Sequence, residues 1–259
     1  MKNLFKFELR KLFRMKLLYI CLGLVVGLAF LTVLGNYFLL KLTESVSFGD
    51  LIGVMAPTAV SILRSELAEQ TGTIVIALFV TLDVCDDNRN NTLKNIYGRG
   101  YGRDGVYFSK LIVALAVSIA FVLIDWLFAF VFGCMFFEVG SDAGNMGAAL
   151  VIQLLAVIAY VTLFFFMATV IKKTGGSVVC NVLVVLFFSL ILTIIDLLIY
   201  QISKNDSFMI SDYWIGGIIQ KTSSGTQTDA YVISAVILPL VYSAAFIVGG
   251  MFVNRKREV

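Results

Sequence analysis

Few side chains in the apolar parts of this chain could do chemistry, and two aspartates stand out. The sequence has no histidine, which excludes imidazole bases, histidine metal sites and Ser-His nucleophile pairs. Asp125 and Asp196 are the acidic residues well inside long apolar stretches. A charge at the centre of a bilayer costs roughly 2.5 to 3.5 kcal/mol on insertion scales, so such residues usually face a water-filled route or a partner.

Two membrane aspartates could also indicate an intramembrane aspartyl protease. Their contexts, LIDWL and IIDLL, lack the GxGD pattern of that class. We therefore consider Asp125 and Asp196 as candidates for lining a translocation route. The alternative is that they have no specific role, which we favour for Asp196 in the outer headgroup zone and leave open for Asp125.

The other candidate is a polar stretch at residues 86–110, with the sequence DDNRNNTLKNIYGRGYGRDGVYFSK, between two long apolar segments. Its five basic residues exclude it from lipid, so we expect a folded cytoplasmic loop. The GRGYGRDG run lies between apolar spans rather than between a strand and a helix, and no GxxxxGK[ST] motif occurs. The chain itself is therefore not predicted to bind ATP or to be an enzyme.

The elements that position these residues are predicted to be membrane helices. The chain is 59% hydrophobic and 14% charged, with a mean hydropathy of +0.94, which indicates an all-α polytopic membrane protein. Six spans are predicted, at 17–40, 70–85, 111–137, 148–171, 177–200 and 231–253. The second is short unless it begins outside the bilayer, and residues 51–63, interrupted by Pro57, favour a re-entrant or interfacial helix that does not cross.

Residues 1–16 predict an amphipathic helix along the inner membrane face. Phe5, Leu9, Leu12 and Phe13 recur at helical spacing, and the basic residues lie mostly off that stripe. This helix is interpreted either as a structural elbow or as a simple positive anchor. Residues 201–229 form an outer segment with an apolar patch around Tyr213 and Trp214 that is typical of a membrane interface.

Basic residues set the orientation. Sixteen of the 20 lysines and arginines lie in segments placed inside, and Lys41, Arg64, Lys204 and Lys221 lie outside. Because positive charge concentrates in cytoplasmic loops, both termini are expected to be cytoplasmic. Nucleic acid binding is not indicated.

The 86–110 stretch resembles a pattern found in the membrane subunits of type 2 ABC exporters. In that family an acidic residue is followed by Gly-Thr-Leu-Lys and then by a Ser-Arg and a Ser-Lys before the third span. Here Asp86 or Asp87 precedes the run Asn91 to Lys94, followed by Gly102, Arg103, Ser109 and Lys110. Asn91 and Gly102 replace the usual glycine and serine.

The resemblance implies that this chain is a permease subunit whose loop couples it to a separate ABC ATPase, which would bind ATP and magnesium. It also implies a short helix at about 90–97 that would insert into a groove on the ATPase. The implied contacts are Arg89, Thr92, Leu93, Lys94, Ile96, Tyr97 and Arg103. The alternative for these residues is a solvated basic loop held against anionic lipid. A second permease copy or homologue is also implied.

We expect this chain, in a bacterial cell membrane, to export an amphiphilic molecule or peptide. A scaffold or sensor that binds a soluble partner through the same loop, and transports nothing, is the alternative function.

Overall fold

A computed structural model describes residues 2–45, 57–69, 71–90, 92–140, 146–171, 173–203, 209–223 and 229–256. Within these ranges the chain is helical throughout and contains no strand. This confirms the all-α class. The helices are α1 Lys2–Arg14, α2 Lys16–Ser45, α3 Ala59–Ala68, α4 Thr71–Arg89, α5 Thr92–Gly98, α6 Arg103–Phe136, α7 Met146–Ile171, α8 Thr174–Ser203, α9 Ile215–Ser223 and α10 Asp229–Lys256, with a 3-10 turn at Ser211–Tyr213 before α9.

Five of the described helices (α2, α6, α7, α8 and α10) are long and apolar enough to cross a membrane, and the bent pair α3–α4 makes a sixth span if it is counted as one. Their lengths follow from the hydrocarbon thickness, because about 20 apolar residues in a helix cover roughly 30 Å. The chain is thus a polytopic membrane protein with five or six spans.

The second span differs from the expectation at 70–85. Two helices, α3 and α4, meet at an angle of 48°, because the backbone at Glu69 is extended and ends α3. Pro57 lies just before Thr58, whose side chain and that of Ser61 form a capping box at the start of α3. Residues 51–56 of the expected re-entrant segment lie outside the described residues.

Helix α3 is held against α6 by backbone contacts. The amide N–H groups of Ala59 and Val60 donate to the carbonyl oxygens of Glu138 and Val139, just beyond the end of α6. Gly133 of α6 lies against Ala59, and a Cβ there would sit 3.3 Å from the Ala59 Cα. Close backbone approach at small residues is the usual way membrane helices pack, so α3 runs along α6 rather than along the surface.

Helix α7 is the centre of the bundle. It packs against α4, α6, α8, α9 and α10, and Tyr160 and Phe164 in its middle are completely buried. The segment between α8 and α10 also packs inward. Ile215 and Ile218 of α9, expected at a membrane interface, are both completely buried, because α9 lies against α7 and α3.

The helix that contains the predicted third span begins before that span. Helix α6 starts at Arg103 rather than near residue 111, so the second half of the 86–110 stretch is not a loop. The reason is that Val106 and Tyr107 are buried and Lys110 is held by an ion pair. The connection from α4 to α6 is therefore one short helix, α5, with a brief turn on each side.

Candidate functional site

A cluster of buried charges joins α1, α4 and α6 beside α5. The Lys11 Nζ of α1 lies 2.6 Å from Asp87 Oδ1 and 3.3 Å from Asp83 Oδ1 of α4. Lys110 of α6 forms an ion pair with the other oxygen of Asp87. Asp87 is 2% exposed and Lys110 is 5% exposed, so both charges are almost fully removed from solvent and depend on each other.

Helix geometry explains how these residues meet. Asp83 and Asp87 are four residues apart on α4 and therefore lie on one face. Glu8 and Leu12 of α1 are also four apart, and both are buried at 3% exposure. Glu8 lies close enough to Lys110 for their charges to interact. The cluster of Glu8, Lys11, Asp83, Asp87 and Lys110 is called the inner charge cluster below.

The inner charge cluster was missed by sequence reasoning. The predicted apolar stripe of α1 included Phe5 and Phe13, but these side chains are 37% and 64% exposed. The face buried against the bundle is rotated by about one residue and carries Leu4, Glu8 and Leu12. A useful signal was the pair Asp83 and Asp87, since two acids one helical turn apart at the end of an apolar span require cationic partners.

Helix α5 is anchored to its own chain through an apolar contact. Ile96 is 8% exposed and packs with Leu4 of α1 and Val106 of α6, with Tyr97 partly buried beside them. Ile96 therefore fixes α5 in place and is not free to be a contact for another protein. Gly100 ends the helix with a φ of +84°, a conformation that glycine adopts without steric cost.

The other residues predicted for coupling whose side chains the structure describes lie at or just beyond either end of α5. Thr92 is the first residue of α5 and is partly buried. Arg103 is exposed at the start of α6. The backbone of Leu93 and Lys94 is helical, and their side chains lie outside the described residues.

Arg89 faces a pocket beside α5. It lines an open cavity of about 280 Å³ together with Met15, Leu17, Leu82, Asp86 and Thr174. These residues come from the α1–α2 junction, the end of α4 and the start of α8, so the cavity lies at the same end of the bundle as the inner charge cluster. Arg89 thus lies near the α1–α2 junction and the start of α8, and it precedes α5 in the chain.

A second set of polar contacts, an ion pair and a hydrogen bond, joins the start of α6 to the end of α10. The Arg255 guanidinium donates to both carboxylate oxygens of Asp104, with Nη2–Oδ2 at 2.7 Å and Nε–Oδ1 at 3.1 Å. The Arg103 Nη1 donates to the Arg255 carbonyl oxygen at 3.2 Å. The end of α10 and the start of α6 therefore lie together on the side that carries α5.

Asp125 lies in the other half of the bundle. It is 9% exposed and faces Gly72 at the start of α4, where a Cβ would meet Asp125 Oδ2 at 3.3 Å. Glu66 of α3, 4% exposed, interacts electrostatically with Asp125. Sequence reasoning did not single out Glu66, because it lies in the segment assigned to the outer surface.

Asp196 has a local structural role. Its carboxylate accepts the amide N–H groups of Ile210 and Ser211, each at 2.8 Å. These bonds hold the 3-10 turn at Ser211–Tyr213 against α8. The favoured interpretation of Asp196, with no specific part in a route, agrees with this geometry, and the structure does not bring Asp196 and Asp125 together.

Among the residues that the structure describes, no group of three or more histidine, cysteine, aspartate or glutamate side chains is arranged to hold a metal ion. The described cysteines form no disulfide with one another.

Two comparisons with known proteins bear on identity. The chain has no match among curated proteins. A family model described as ABC-2 family transporter protein matches residues 4–189, which run from α1 into α8 and include α5, the inner charge cluster and Asp125. The match covers well over half of the 259 residues, and the helical membrane architecture agrees with it. The chain therefore belongs to the ABC-2 family and is a membrane permease subunit of an ABC transporter.

Proposed function

We propose that this permease is driven by a separate ATPase that docks on α5 and the turns on either side of it. The observation that supports the proposal is the construction of the α4–α5–α6 connection. A helix of seven residues is held between two long helices, and its apolar side is fixed by Ile96. A segment built in this way moves together with the helices that it joins.

The inner charge cluster would transmit such a movement. Lys110 joins α6 to α4 through Asp87, and Lys11 joins α1 to the same aspartate. Since buried charges are costly to separate, the three helix ends are expected to shift as one unit when α5 is displaced. Rigid shifts of helices past their neighbours are a common form of conformational change in proteins.

The contacts with the ATPase are proposed on the exposed side of this connection. Leu93 and Tyr97 would supply apolar contact, and Lys94 and Arg103 would supply charge. Arg89 and Thr92 flank the same surface. ATP and magnesium would be bound in the partner and not in this chain.

The direction and cargo of transport belong to the same proposal. We propose export of an amphiphilic molecule or peptide, with a second permease copy or homologue completing the route. The excess of basic residues at the α5 side supports a cytoplasmic position for α5 and for both termini, in a bacterial cell membrane. Reporter fusions at each terminus test this orientation, and a reporter active only outside the cell at either terminus would contradict it.

Leu93→Asp tests the coupling. The full-length permease is co-expressed with its ATPase, purified in nanodiscs and assayed for ATP turnover and for co-purification. We expect Leu93→Asp to reduce both, because a carboxylate would be placed in an apolar contact. The matched control is Val139→Asp, which makes the same kind of change at a 55% exposed position just beyond the other end of α6.

Three outcomes distinguish docking at α5 from its alternatives. Loss of turnover and of co-purification in Leu93→Asp alone supports docking at α5. Equal turnover in both variants contradicts it. Partner binding through α5 without any ATP-dependent transport would instead favour the scaffold or sensor.

A further inference from the structure

Buried carboxylates gather at the bend between α3 and α4. Glu66 of α3 is 4% exposed and Asp125 of α6 is 9% exposed. Glu69, the exposed residue that ends α3, interacts electrostatically with both. Three acidic groups therefore face one region of the bundle.

Glu66 is not satisfied by its surroundings. Its Oε2 atom is buried and has no hydrogen-bond partner within the described ranges. Thr32 of α2 lies within hydrogen-bonding reach of the same carboxyl group. The charges acting on Glu66 and Asp125 from the described part of the chain come from other carboxylates. A buried carboxylate oxygen without a cation or a donor is costly, so Glu66 Oε2 points to a missing positive group.

The backbone at the start of α4 comes close to Asp125. Gly72, at the start of α4, lies opposite Asp125, and a Cβ at this position would approach Asp125 Oδ2 to 3.3 Å. Asp125 follows Lys110 by 15 residues, about 22 Å along a helix. Asp125 therefore lies far along α6 from the inner charge cluster and from α5.

We propose that Glu66 and Asp125 form a binding site for the ammonium group of an amphiphilic organic cation. An ammonium carries three N–H donors and no acceptor, which matches the Oε2 atom of Glu66 that lacks a donor and the nearby carboxylate of Asp125. The apolar body of such a molecule suits the surroundings, since the neighbouring Leu67 and Trp126 are both buried in the apolar core. Glu69, at the exposed edge, would attract the cation first.

An organic cation fits this site better than a metal ion. No set of metal-binding side chains occurs in the described part of the chain, and a bare metal ion would need more oxygen ligands than two carboxylates supply. The proposal rests on the transport function proposed above, because it assigns a chemical class to the cargo.

The test measures binding of tritiated dodecylammonium to the full-length permease in phosphatidylcholine nanodiscs, with empty nanodiscs subtracted. N-dodecylacetamide, which has the same chain and no charge, is the second probe. We expect saturable binding of the ammonium, weakened roughly tenfold or more by Glu66→Gln and by Asp125→Asn, as for loss of a charged hydrogen bond. Binding of the acetamide should be the same in all variants.

The controls keep the test decisive. Glu138→Gln removes an exposed carboxylate just beyond the end of α6, and it should leave ammonium binding unchanged. Gly72→Ala keeps every charge and crowds Asp125, so it should also weaken binding. This variant replaces an isosteric variant in the test if that variant does not fold. Folding is checked by size exclusion and by the thermal unfolding midpoint.

Several results would overturn the proposal. These are no saturable ammonium binding, equal binding by the wild type and by Glu66→Gln and Asp125→Asn, or an equal loss of the neutral probe. Equal binding would mean that the two carboxyl groups share a proton and serve packing alone. Because the assay needs no ATPase, its failure would leave the coupling proposal standing, and a failure of Leu93→Asp would leave the cation site standing.

Discussion

Removing Lys110 from the inner charge cluster should destabilise the permease strongly. In Lys110→Met the long apolar stem is kept and the charge is lost, so Asp87, which is 2% exposed, loses one of its two cationic partners. Breaking a buried ion pair from one side costs about 3–5 kcal/mol. Since Lys11 remains 2.6 Å from Asp87, we expect the lower end, about 3 kcal/mol.

The double variant Lys110→Met with Asp87→Leu should recover part of this stability. Both members of the buried pair are then replaced by apolar groups, which is often neutral, and Lys11 keeps Asp83 at 3.3 Å. The two residues are in contact, so a coupling free energy of about 1–3 kcal/mol is expected from the double-mutant cycle. Arg255→Met is the control, because it breaks an exposed pair with Asp104 at the same end of the bundle and should change stability little.

The free energy of unfolding is measured by denaturant titration in detergent micelles, followed by the fluorescence of the two tryptophans. The reasoning would be refuted if Lys110→Met were as mild as Arg255→Met. It would also be refuted if the double variant were less stable than Lys110→Met alone, since the uncompensated charge of Asp87 could then not be the cause.

Three further predictions concern single packing contacts. Ile96→Ala should cost about 2 kcal/mol, because the anchor of α5 is truncated in a small cluster, and amide exchange in 92–98 should rise; unchanged exchange would contradict the anchoring. Gly250→Ala should lower the thermal unfolding midpoint, because its Cβ would overlap the Tyr107 hydroxyl group. Gly23→Ala, at a position with open space around it, should leave the midpoint unchanged, and equal midpoints for the two variants would contradict the prediction. Asp196→Ala should raise amide exchange at 210 and 211, whose N–H groups it accepts; if exchange stays the same, the capping role is wrong.

The membrane architecture could be predicted from sequence because it depends on length and hydropathy alone. A run of about 20 apolar residues must form a helix in lipid, where every backbone polar group needs a partner. The bend at Glu69 could not be located in this way. Glu66 and Glu69 look like surface residues in a short mixed segment, and only the packing of α3 along α6 places Glu66 inside the bundle.

The short helix between the second and third spans was predicted from the family resemblance, and the contacts that hold it were not. Ile96 was assigned to a partner, and in the structure it is buried against Leu4 and Val106. An apolar side chain on a short amphipathic helix fits either contact equally well. The pairing of Lys11 and Lys110 with Asp87 joins residues 76 and 23 positions apart in the chain, and such long-range contacts leave no local pattern.

The central claim, that an ATPase docks on the α4–α5–α6 connection, is tested most directly by site-specific photo-crosslinking. Tyr101 lies in the turn after α5 and is 40% exposed, so Tyr101→benzoylphenylalanine is a conservative change at the proposed surface. In the assembled transporter, we expect this variant to crosslink to the ATPase subunit and Val139→benzoylphenylalanine, just beyond the opposite end of α6, not to do so. Crosslinking of the ATPase from position 139 and not from position 101 would contradict the account.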